Sequence, residues 1–149
     1  MNLRRGCHFE LVPRLKTISF QTLLSAREKL PLRPDDRIEQ LLEHFRVPFD
    51  AMRTGKGICH LQRGNLVLWF IEGVLNSVEL TTGGQHEASD LVSWGGFDIR
   101  TDDLLAWCSG QDILLALRDD QEGGQLWVSP SGALIAIQNH QLWNVTLAL

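Results

Sequence analysis

The chain predicts an α+β fold, an antiparallel sheet with short helices on one side, built from two tandem ααβββ-type repeats. Three observations carry that prediction. First, Gly64 to Leu80 (GNLVLWFIEGVLNSVEL) is echoed near the C-terminus by Gly132 to Leu147 (GALIAIQNHQLWNVTL). In both, a glycine opens an apolar run, a two-residue polar turn interrupts it, and Leu-x-Ser/Asn-Val-x-Leu closes it. Second, Arg33-Pro34-Asp35-Asp36 recurs as Arg100-Thr101-Asp102-Asp103 at an offset of 67, close to the 68 between the two glycines. Separate anchors at nearly one offset mark internal repetition. Third, helices followed by runs of strands fold as an antiparallel sheet with segregated helices. The 149 residues suit one compact domain. Repeat 1 covers about 17–81, a polar, glycine-containing linker 81–90, and repeat 2 about 87–149.

Taken in order, Gly6–Val12 reads as an extended segment stopped by Pro13. Ser19 to Lys29 reads as a helix with Ser19 as N-cap and Phe20, Leu23 and Leu24 at helical spacing. Arg33-Pro34-Asp35-Asp36 opens a second helix, since proline suits a first turn and carboxylates complement the exposed amides there. Ile38, Leu41, Leu42 and Phe45 form its apolar stripe, and Val47-Pro48 ends it. Strands Gly57–Gln62, Asn65–Ile71 and Val74–Thr81 follow, joined by the two-residue turns Arg63-Gly64 and Glu72-Gly73. Leu66–Ile71 is apolar on both faces, which places it centrally and under cover on both sides. In the second repeat Arg100-Thr101-Asp102-Asp103 opens a short helix with Thr101 as its N-cap, Leu104, Leu105 and Cys108 inward and Gly110 as its stop. Strands Ile113–Arg118, Gln125–Ser129, Ala133–Gln138 and Gln141–Leu147 complete the chain.

The net charge of −4 hides a division. Residues 1–63 carry 12 basic against 7 acidic groups, while residues 64–149 carry only Arg100 and Arg118 against 11 carboxylates. Such segregation bears on partners and on association rates. No dense Lys/Arg cluster with interleaved aromatics is present, which argues against nucleic acid. No apolar run reaches membrane-spanning length, and no apolar stretch follows Arg4-Arg5 as it would in a secretion signal. Together with three cysteines that form no CxxC, this gives a cytoplasmic expectation.

Motifs for chemistry are not met. Cys7-His8 and Cys59-His60 are dipeptides whose side chains diverge in a strand, so no metal site is expected. His86-Glu87 lacks the second histidine of HExxH, and the glycine doublets lack the spacing and lysine of a phosphate loop. Cys108 reads as a buried, inert thiol. The expectation is therefore a non-enzymatic protein without cofactor or catalytic residues. What remains is surface. Trp127 shares strand parity with Gln125 and Ser129, the more polar face, and stands near Asp119, Asp120 and Glu122. Asp102, Asp103 and Asp112 belong to the same repeat, and Trp143 is a second aromatic anchor. Aromatics ringed by carboxylates fit a basic protein surface.

The element order of Ser19–Leu80 and of Glu87–Leu147, paired short helices before an antiparallel meander, resembles the tandem plan of the β-lactamase inhibitor protein family. A single unit is similar to the BamE family of outer-membrane assembly lipoproteins. The resemblance lies in order and length, so it carries over no site residues. The chain departs from both families in lacking a secretion signal, a lipobox and disulfide-forming cysteine pairs. In size, one-sided acidity and absence of catalytic motifs it is also similar to bacterial immunity proteins. The expected function is an inhibitor or immunity-type module that occludes a basic, toxin-like partner with its acidic C-terminal half. The alternatives are a small-ligand-binding or enzymatic α+β domain, and a homodimeric assembly adaptor pairing through a sheet edge.

Overall fold

The computed structural model describes residues 17–26, 30, 32–42, 50–82 and 92–149. The expected strand Gly6–Val12, the end of the second helix and the linker beyond Thr82 lie outside these residues. In chain order the elements are β1 (Ile18–Ser19), α1 (Phe20–Ser25), α2 (Ile38–Leu42), β2 (Asp50–Gly55), β3 (Ile58–Arg63), β4 (Leu66–Ile71) and β5 (Val74–Thr81). Then come β6 (Val92–Ser93), α3 (Leu104–Gly110), β7 (Ala116–Gln121), β8 (Gly124–Val128), β9 (Leu134–Gln138) and β10 (Gln141–Leu147). The fold is α+β, as the sequence predicts. β1 and β6 form a short parallel pair, and the other eight strands form one antiparallel sheet in the order β2-β3-β4-β5-β10-β9-β8-β7.

That order is two four-stranded meanders meeting at their last strands. β5 pairs with β10 so that Val78 faces Leu147, Glu79 faces Thr146 and Leu80 faces Val145. With an offset of 67, Glu79 pairs with its own counterpart, and the flanking pairs exchange. A local twofold axis normal to the sheet therefore passes between Glu79 and Thr146. The hairpins either side obey it. β4–β5 and β9–β10 have the same register, with a one-residue bulge at Asn76 in one and at Trp143 in the other. Both hairpins turn through residues of positive φ, Glu72-Gly73 and Asn139-His140, the conformation that fits a two-residue turn to the strand twist.

Two expectations are corrected here. Each meander has four strands, and β2 of the first is additional to those expected. Asp50–Gly55 lacks regular apolar alternation, as suits an edge strand, which among the described residues pairs with β3 alone. Arg33 to Asp36 is a turn, not the first turn of a helix. Asp36 accepts a hydrogen bond from the Arg33 amide at 2.7 Å, and Asp35 takes φ 73°. The segment then runs beside β5, with Asp35 N donating to Leu75 O (3.1 Å) and Leu75 N donating to Asp36 O (2.7 Å).

All three helices cover one face of the sheet. Leu61, Leu66, Leu68, Phe70, Val78, Leu80, Ile135, Ile137 and Val145 supply the sheet's side of the core. Phe20, Leu23 and Leu24 from α1, Leu41 from α2, and Leu104 and Cys108 from α3 close over them. The Phe20 ring stands 5.0 Å from Trp94, 5.3 Å from Phe97 and 5.4 Å from Trp107, gathering both halves into one aromatic cluster. On the opposite face Val67 is buried and Trp69 half-buried, while Ile71 is exposed, so cover over β4 ends at its tip. Ser19 caps α1 as expected, its Oγ accepting from Thr22 N at 3.1 Å. The other end of α1 is held from the second half. Ser131 N donates to Leu24 O at 3.2 Å and Ser131 Oγ donates to Leu23 O.

Candidate functional site

The turns β7–β8 and β9–β10 lie at the same end of the second meander, tied by Asn139 N donating to Gly123 O at 2.9 Å. Beneath them opens a cleft of about 380 Å³, lined by the 99–105 segment, Thr82, Gln125, Ile137 and His140 to Leu142. A smaller depression of about 240 Å³ shares Gln125, Ile137 and His140 with it and adds Asp120 and Gly123. Asp102 and Asp103 stand on the cleft, Asp120 on the depression, and exposed Asp119 and Glu122 on the adjoining strand and turn. Trp143, 63% exposed, follows Leu142 at the β10 bulge. Six of the eight residues singled out from the sequence thus gather at one end of the sheet.

Local hydrogen bonding orients the rim. Asp103, not the expected Thr101, caps α3, its Oδ1 accepting from Ala106 N at 3.1 Å, and Asp102 Oδ2 accepts from Asp98 N at 2.8 Å. Each carboxylate thereby uses one oxygen on the backbone. Arg100 turns back on Asp98 at 3.2 Å, and that hydrogen bond holds the Asp98 carboxyl below its usual range. The cleft's titratable groups are Arg100, Asp102, Asp103 and His140. Such a rim suits cationic groups presented from outside.

The first half explains why there is a cleft at all. By the offset of 67, residues 35–38 correspond to 102–105 and residues 73–75 to 140–142. In the first half these segments are zipped: besides the two bonds at Leu75, Ile38 N donates to Gly73 O at 3.3 Å, and Arg37 bridges Val74. In the second half the corresponding segments face each other across the cleft. No backbone hydrogen bond joins them among the described residues. The shared register and bulge turn the N–H and C=O of Leu142 away from β9, as they do those of Leu75. Those two groups open onto the cleft.

The remaining two expected residues lie elsewhere. Strand parity placed Trp127 on the polar face, but it stands opposite Ile135 on the helix-covered face and is half-buried against the core. Its Nε1 donates to Gln125 Oε1 at 3.1 Å. Leu126 and Val128 turn to the other face, the reverse of what their hydrophobicity indicates. Trp127 and Asp112 meet across a groove of about 540 Å³ at the far end of α3, with Leu105 and Leu115 between them. Leu114 there is 85% exposed, and Leu117 on the edge strand β7 is 45% exposed. Sequence reasoning did not single out His140, Gln141, Gln125 or Leu142. The signal available was the offset of 67, which maps Gly73 to Leu75 onto His140 to Leu142.

Cys108 is buried, and desolvation pushes its thiol up to about 11. Cys59 faces the core while His60 faces the opposite side, opposite Trp69. Among the described residues no group of three or more His, Cys, Asp or Glu is placed to hold a metal ion. No described helix is long and apolar enough to cross a membrane. No family model, curated protein or solved structure matches the chain.

Proposed function

We propose that this protein is a non-enzymatic binding module of inhibitor or immunity type, which grips and occludes a basic protein partner with the acidic end of its second half. We further propose that its halves are diverged copies of one helix–meander unit. The observation that carries the functional reading is the crowding of carboxylates at one end of the sheet beside an exposed Trp143: Asp102 and Asp103 on the cleft, Asp120 on the adjoining depression, Glu122 on the turn, and Asp119 on the same strand but facing the other side with Leu126. Exposed carboxylates steer a cationic partner and raise its association rate, while an aromatic anchor slows its release. Substituting Asp119, Asp120 and Glu122 together by Lys is expected to slow association about tenfold or more at low salt and to flatten its salt dependence. Surface plasmon resonance against the partner recovered by affinity capture measures both. Unchanged association of the triple variant would sink this reading.

One observation favours a second reading, a homodimeric adaptor. Among the described residues β7 is an edge strand paired with β8 alone, and Leu114 and Leu117 are exposed beside it. Charges and a bulge at Arg118 are the usual guards of such an edge and count against self-pairing. Sedimentation velocity separates the two: the adaptor requires a dimer that Leu117→Asp dissolves.

A further inference from the structure

We propose that the cleft between the 100–105 segment and the start of β10 is a docking slot for main chain. In it a short extended stretch of the partner would hydrogen-bond to Leu142, with a Lys or Arg beside it reaching Asp102 or Asp103. This deepens the preceding reading by naming what enters the site, and the basic character of the stretch rests on that reading.

The molecule supplies its own template. In the first half Leu75 gives its N–H to Asp36 O and takes the Asp35 N–H on its carbonyl, so a two-residue extended piece satisfies both groups. The second half has the same hairpin register and the same bulge, which aims the N–H and C=O of Leu142 into a space of about 380 Å³. Pairing with β5 begins only at Asn144, opposite Thr81, so the edge of β10 from Gln141 to Trp143 is left beside the opening. Adding extended main chain to an exposed strand edge is a general mode of peptide recognition, with affinity from the backbone and selectivity from neighbouring side chains. Thr82 lines the end of the slot, and Gln125 and Gln141 add neutral polar groups. The slot is too short for a whole strand. It fits a loop tip, which is what an occluding inhibitor meets at the mouth of a partner's site.

The test uses the full chain and three synthetic pentapeptides with blocked ends: Val-Lys-Val-Lys-Val, its Asp counterpart, and the Lys peptide N-methylated at its central residue. Titration followed by two-dimensional NMR should place the largest amide shifts at 140–143, with exchange of the Leu142 amide slowed at least tenfold at saturation. The N-methyl peptide should bind at least tenfold more weakly, and so should the Lys peptide to Thr82→Trp, which fills the end of the slot. Lys56→Glu, on the exposed β2–β3 turn of the first half, should leave Leu142 protection intact. Absence of Leu142 protection, undiminished binding of the N-methyl peptide, or shifts confined to β7 would each overturn the proposal. Equal protection by the Asp peptide would keep the slot and overturn the basic-partner reading. Slower association of the charge-reversed variant with a captured partner, without any slot protection, would do the opposite.

Discussion

Trp94 is only 5% exposed, yet among the described residues its indole N–H has no hydrogen-bond partner. A buried unsatisfied donor costs about 1–3 kcal/mol, comparable with the loss from trimming a large ring to a smaller one. Trp94→Phe should therefore shift stability by no more than about 1.5 kcal/mol, measured by urea unfolding. Leu68→Ala, at a site that is 0% exposed, should cost about 2–5 kcal/mol. Cys108 makes a separate prediction. Its folded value near 11 lies above the reference of 9.0, so the folded state prefers the protonated thiol. That contribution is whole below pH 9.0 and is lost as pH rises towards 11. Stability of the native chain should fall across that window more steeply than that of Cys108→Ala. At pH 8 only about one molecule in a thousand carries the thiolate, so alkylation at Cys108 should lag behind unfolding.

Between the elements, the turn at Asn139-His140 holds two non-glycine residues at positive φ, 50° and 63°. His140→Gly should stabilise the hairpin by about 0.5–1 kcal/mol, the ordinary relief on giving a left-handed position to glycine. A β-branched Val there should destabilise it. Ser131 is the other junction, because its hydroxyl serves a carbonyl at the end of α1 from a loop over a hundred residues away. That loop contains the extra residue which the sequence shows as an offset of 68 at the glycines against 67 elsewhere. Most of the element plan was legible because hairpins advertise themselves by apolar runs and polar turns. Ser19 as cap, the β4–β5 and β9–β10 hairpins and the one-sided helices were all readable in this way. β2 was not, since an edge strand has no need of two apolar neighbours. Trp127 was placed on the wrong face because parity assumes that the apolar side is the covered side. In β8 both sides are half-covered, and Leu126 and Val128 lie away from the helices. The acidic rim was legible as composition, but the slot was not, because it depends on two segments that fail to pair.

At the scale of the whole molecule, one sheet runs through both halves, and α1 is clamped from the second half. Unfolding should accordingly be a single transition, with fluorescence and circular dichroism coinciding. Two separate transitions would show the halves to be independent. The axis between Glu79 and Thr146 also places a limit on how alike the halves can be. A residue on such an axis faces its own counterpart, so a sequence repeated without change would set two glutamates against each other at the centre of the sheet. Directly opposed like charges destabilise a strand pair by up to about 1 kcal/mol. Thr146→Glu should recreate that conflict and Thr146→Lys should reward the site with an ion pair. The seam that joins the two halves is thus a place where they are obliged to differ.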